Sequence, residues 1–146
     1  MIEIGCPALH ETIADWSLAL PNGSDDGTRR WDGQAFVRHV AAGATYAPWR
    51  VGGWEHRDTG IGEATGGLAG ARVVRATAPS GERVAHASEM ALLVVLSGEV
   101  TFEPDDGPTT CLRRSSSVAI PGGLGYRLSG ATTDCELLDV TLPAQL

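Results

Sequence analysis

"VAHASEMALLVVLSGEVTF", residues 84–102, is the stretch whose reading decides the fold. Its aliphatic core, "MALLVVLSG" at 90–98, is rich in branched residues and too short for a long helix, so it reads as a strand. After the Ser97-Gly98-Glu99 corner, Val100 and Phe102 alternate with polar neighbours, as one face of a second strand. A lone histidine, His86, stands just ahead of the first strand.

Working outward, the same pattern repeats. "ARVVRATA" (71–78) reads as a strand, and "EVTFEPDD" turns at Asp105-Asp106-Gly107. "SSVAIPGG" ends a strand at Pro121, and "GYRLSG" is a short one. "CELLDVTLPAQL" places Leu137, Asp139 and Thr141 on one face and Leu138, Val140 and Leu142 on the other. Nineteen glycines and eight prolines in 146 residues supply the turns between short strands. Regularly spaced short strands with turns between them are the mark of a sandwich or barrel.

The first part of the chain differs. "ALHETIADWSLAL" spaces Leu9, Ile13, Trp16, Leu18 and Leu20 at helical intervals, which predicts one short helix. "PNGSDDGTRR" then reads as a polar loop. The division is an N-terminal extension over 1–33 and a β-barrel domain over 34–146.

Charge and composition narrow the function classes. Eighteen acidic against 11 basic residues give a net charge of −7, which disfavours nucleic acid as a partner. No long apolar run is present to cross a membrane, and the start lacks a basic and apolar leader, so a cytoplasmic protein is expected. Cys6, Cys111 and Cys135 show no C-x-x-C spacing and read as buried or bystander thiols. Glu55, His56, Arg57 and Asp58 stand side by side in the Gly-rich "GGWEHRDTGIGEATGG". On a loop they would clamp a carboxylate or hydroxyl-bearing ligand through Arg57, or form a solvated turn with local ion pairs. Trp49 and Trp54 flank this stretch and suit either a cavity wall or a dimer interface.

At this point the chain resembles the cupin superfamily. "LSGEVTF" supplies the closing glycine of the first cupin motif as Gly98, and "AIPGGLGY" supplies Pro121 and Gly123 of the second. The likeness covers residues 71–142 and implies an all-β double-stranded β-helix, a jelly-roll barrel, with homodimerisation common in the family. Counting back from Gly98 puts Ala91 in the family's glutamate slot, His86 in the second histidine slot and Val84 in the first. Tyr126 stands in the histidine slot of the second motif. Of the family's metal ligands only His86 is kept, and a single imidazole cannot hold a transition metal, so no metal and no cofactor are expected.

The resemblance places His86 and Tyr126 opposite each other in the cavity. Histidine can take a proton near neutral pH, and tyrosine can return one or stabilise an oxyanion. The expectation is a metal-free cupin that binds a small organic metabolite and performs acid-base chemistry of isomerase, cyclase or lyase type. His86 is the base, Tyr126 the acid, and Arg57, Trp54 and Glu89 are the ligand-binding candidates. Two alternatives stay open. One is a non-catalytic binding or sensing cupin; the other is a divergent metal-dependent oxygenase built on His86, Glu89 and Tyr126.

Overall fold

The computed structural model describes Ile2, Trp16 and residues 27–144. The helix expected around Leu9–Leu20 lies outside the described residues apart from Trp16. The elements run β1 (Arg30–Trp31), β2 (Gln34–Ala35), β3 (Ala47–Pro48), β4 (Trp54–Asp58), α1 (Ile61–Ala64) and β5 (Gly70–Ala76). They continue with β6 (Arg83–Val84), β7 (Met90–Ser97), β8 (Glu99–Pro104), β9 (Thr110–Arg113), β10 (Ser117–Pro121), β11 (Tyr126–Ser129) and β12 (Glu136–Leu142).

All pairing is antiparallel. A six-stranded sheet has the order β10-β7-β12-β5-β4-β3 and a four-stranded sheet the order β6-β11-β8-β9, with β1 and β2 as a separate ribbon. The expected strands are therefore present, and one expectation changes. Glu55–Asp58, read as part of a loop, belongs to β4, paired with β3 and β5. Strand alternation then separates its charges: His56 and Asp58 lie on the face of Trp54, while Glu55 and Arg57 lie on the other.

The inner faces of the two sheets share one core. Ala91, Leu93 and Val95 of β7 and Leu137 of β12 meet Val100 and Phe102 of β8, Leu112 of β9 and Leu128 of β11 in one buried cluster. Leu93, Leu128 and Leu137 are fully buried, each contributing about 1.5–3 kcal/mol relative to exposure.

Gly98 turns the chain from the larger sheet into the smaller. It is the single residue between β7 and β8, with φ of 66°, and a Cβ there would lie 2.8 Å from the backbone nitrogen of Cys135. Only glycine satisfies both the left-handed backbone and that approach. Pro121 closes β10, an edge strand, where a missing N–H costs no ladder bond.

The register defines the two ends of the barrel. Thr141 pairs with Gly70 and Ala91, and Asp58 with Arg72, at one end, here called the mouth. Trp54 pairs with Ala76, and Glu136 with Ser97, at the other.

A candidate functional site at the barrel mouth

The motif slots identified in the sequence gather near the mouth. Val84 on β6 pairs directly with Tyr126 on β11, so their side chains share a face. Ala91 on β7 is fully buried, and Val84 packs on the same core.

Tyr126 is fully buried against Phe102, with ring centroids 5.6 Å apart. Its hydroxyl oxygen accepts a hydrogen bond from Arg50 Nε at 3.0 Å. Arg50 is itself locked by Asp139: Nη1 donates to Oδ2 at 2.6 Å and Nη2 to Oδ1 at 2.7 Å. Trp49 Nε1 donates to Asp139 Oδ2 at 3.2 Å, and the Arg50 guanidinium lies over the Trp49 ring at 4.3 Å. The bidentate fork holds the guanidinium plane, which aims Nε at the tyrosine.

The electrostatics follow from burial. Desolvation opposes the charge on Arg50, but the hydrogen bonds and charge of Asp139 outweigh it and raise its pKa. For Tyr126, burial pushes the phenol above its usual value, and Arg50 pulls part of that back. Tyr126 is therefore a neutral donor at physiological pH. Because its oxygen accepts from Arg50, its own proton is left for another acceptor.

His86 is buried, and its Nε2 lies 3.0 Å from the Ile120 carbonyl oxygen. A carbonyl only accepts, so Nε2 carries the proton and Nδ1 the lone pair. That Nδ1 is buried with no hydrogen-bond partner. His86 follows Val84, the partner of Tyr126, in sequence, yet its hydrogen bond goes to β10 and that of Tyr126 to Arg50.

The other sequence candidates are spread more widely. Arg57 points away from the inner face, with Nη1 2.8 Å from His39 Nε2. Trp54 is buried at the far end, its ring centroid 5.9 Å from that of Trp49 and its Nε1 unpartnered. Glu89 is exposed, and its backbone oxygen accepts from Gly122 N.

Arg50, Asp139 and Arg72 were not singled out as site residues in the sequence, and His56 was read there only as one member of the charged Glu55–Asp58 stretch. A cavity of about 560 Å³ opens at the mouth over Pro48, Trp49, Arg50, His56, Asp58 and Arg72. His56 Nδ1 lies 3.1 Å from the Pro48 carbonyl oxygen, so it is the protonated nitrogen and Nε2 carries the lone pair. The usable signal for this set was alternation: Asp139 shares a face with Leu137 and Thr141 in a strand otherwise built for a core.

The cupin likeness implies a metal in this region, and the residues do not suit one. Val84 and Ala91 offer no donor atom, and Arg50 places a fixed positive charge on the Tyr126 oxygen. Among the described residues no group of three or more His, Cys, Asp or Glu side chains is gathered to hold an ion.

No protein-family model and no curated protein matches the sequence. Solved structures do match the fold. KdgF from a Halomonas species superposes with a TM-score of 0.62 at 14% identity, covering 73% of this chain and 94% of its own. An RmlC-like cupin from Shewanella frigidimarina gives 0.62 at 18% identity, covering 77% and 96%. Pac13, a nucleoside dehydratase from Streptomyces, gives 0.61 at 12% identity, covering 77% and 86%. At these identities the likeness is one of fold. The Gly98 corner, the Pro121 edge and the pairing of Val84 with Tyr126 agree with it: the chain has the jelly-roll fold of the RmlC-like cupins.

Proposed function

We propose that this protein binds a small organic metabolite in its barrel and performs acid-base chemistry on it without a metal. The observation that carries the reading is the Tyr126–Arg50–Asp139 network, which sets a fixed cation beside a proton-bearing phenol at a former ligand slot. When Tyr126 gives its proton to a developing oxyanion, the phenolate left behind sits against Arg50 Nε, and Asp139 keeps Arg50 from moving. The lone pair of His86 Nδ1, unpartnered in the structure, is the base that takes a proton from carbon. The result is proton transfer of isomerase, cyclase or lyase type. Among the structural neighbours, Pac13 is a dehydratase whose variants have been seen with uridine, so nucleosides belong in the substrate search.

A second reading is binding without catalysis. It is favoured by one feature: Tyr126 is fully buried, and the mouth cavity reaches Arg50 rather than the phenol.

Proton NMR in D2O separates the two. Chelator-treated protein is incubated with hydroxy acids, keto acids, sugars and uridine, and exchange at carbon or new products are followed. The expected result is turnover of one class without added metal, falling about 100-fold or more in Tyr126→Phe and His86→Ala while binding stays within a few-fold. Turnover unchanged in both variants, or dependent on added metal, would reject the mechanism. Binding with no exchange anywhere would select the second reading.

A further inference from the structure

His56 brings an uncommitted acceptor to the mouth cavity. Its side chain turns inward from β4, the residue is only 8% exposed, and the hydrogen bond from Nδ1 to the Pro48 carbonyl fixes the lone pair on Nε2. Among the described residues no hydrogen bond or ion pair engages Nε2. Unlike Nδ1 of His86, it is not sealed in the core. The imidazole lines the 560 Å³ cavity and also an adjoining one of about 360 Å³ over His39, Gly43 and Thr45, so it stands between the two.

Its polar neighbours in the wall are already engaged. Trp49 Nε1 donates to Asp139, and the three Arg50 nitrogens donate to Asp139 and Tyr126. Asp58 accepts from the Gly60 backbone nitrogen, and its side chain is 55% exposed on the rim. A ligand donor that reaches Asp58 exchanges one well-hydrated bond for another and gains little. A donor that reaches His56 Nε2 meets a lone pair on a residue nine-tenths withdrawn from water, where a hydrogen bond is worth more. Pro48 and Trp49 beside it supply apolar surface.

We propose that the mouth cavity binds alcohols and phenols, with the ligand hydroxyl donating to His56 Nε2 and the hydrocarbon body packed on Pro48 and Trp49. The site rests on the small-molecule reading above and adds to it the group by which the ligand is recognised. No charge is required of the ligand. Specificity comes from the donor: a molecule of the same shape without one leaves the Nε2 lone pair unsatisfied inside the complex.

The test is an NMR titration of the parent protein with phenol and with its methyl ether, anisole, followed at the histidine ring nitrogens through long-range proton–nitrogen couplings. The His56 ring should show its proton on Nδ1. Phenol should move the Nε2 resonance, and anisole, which has no donor, should leave it in place. Phenol should bind about 3- to 10-fold more tightly than anisole, the worth of one neutral hydrogen bond. His56→Phe removes the acceptor and should bring the two probes level; where that variant fails to fold, the spectra of the parent protein still decide. A proton on Nε2, anisole binding as tightly as phenol, or a preference for phenol that survives in His56→Phe overturns the acceptor role and leaves the small-molecule reading standing. Binding of neither probe to the folded protein overturns it as well. The turnover test of the small-molecule reading is read on Tyr126 and His86 and is independent of these outcomes.

Discussion

The two ends of this barrel are built from the same strands and packed on opposite principles. Near the mouth the inward-facing side chains include His56, Asp58, Arg72, Asp139 and Tyr126. Toward the far end β4, β11 and β12 contribute Trp54, Leu128 and Leu137, which join Val95, Val100 and Leu112 of β7, β8 and β9 in one buried cluster. The far end gains stability from every apolar side chain it removes from water. The mouth instead buries a guanidinium and a carboxylate, whose desolvation consumes most of what their attraction returns. Such a pair is weak as a support for the fold, and its guanidinium lines a cavity.

That contrast can be broken most directly at Asp139. Asp139→Ala leaves Arg50 charged and without its fork, and the expected loss is about 3–5 kcal/mol, read by urea denaturation. The double variant Arg50→Met/Asp139→Leu removes both charges and should recover most of that loss. A double variant as unstable as the single one would mean that the mouth network holds the barrel together.

Leu137→Ala probes the far end on the same strand. It opens a cavity among Val74, Val95 and their neighbours, with an expected cost of roughly 2–5 kcal/mol. No double variant with a polar partner should rescue it.

How much of this was legible in the sequence differs between the ends for a physical reason. Strand periodicity is local, so the strands around Val73, Leu93, Phe102 and Val140 could be read from alternation and β-branching alone. Gly98 and Pro121 fixed the cupin resemblance because each is demanded by backbone geometry that its neighbours impose. The slots derived by counting from them, Val84, Ala91 and Tyr126, do share the interior. The partners of Tyr126 were not legible. Arg50 and Asp139 are separated by 89 positions, and nothing in either neighbourhood marks a buried ion pair. His56 and Arg57 show the same limit in reverse. Adjacent in sequence, they looked like one cluster, and the strand sends them to opposite faces.

The smallest effect sharpens the comparison with one titrating group at each end. Tyr126 near the mouth and Cys135 at the far end are both buried, and burial raises both acidities' pKa values: Tyr126 above its ordinary 10.0, and Cys135 from 9.0 to about 11, aided by Asp134 and Glu136. A group whose folded pKa is raised binds its proton more tightly in the native state. Its contribution is complete below the unfolded pKa and is lost as pH rises through the folded one. Stability should therefore hold level to about pH 9, then fall, first as the unfolded Cys135 thiol ionises and further above about pH 10 as the unfolded tyrosine does. Cys135→Ala should flatten the early part of the decline and Tyr126→Phe the later part, each measured as the change in denaturation midpoint between pH 8 and pH 11. The two should differ in one respect. Arg50 offsets part of the desolvation at Tyr126, whereas the charges near Cys135 add to it, so the thiol should carry the larger share. If Tyr126→Phe instead removes most of the alkaline loss, Arg50 does not support the phenolate, and the acid role proposed for Tyr126 loses its electrostatic basis.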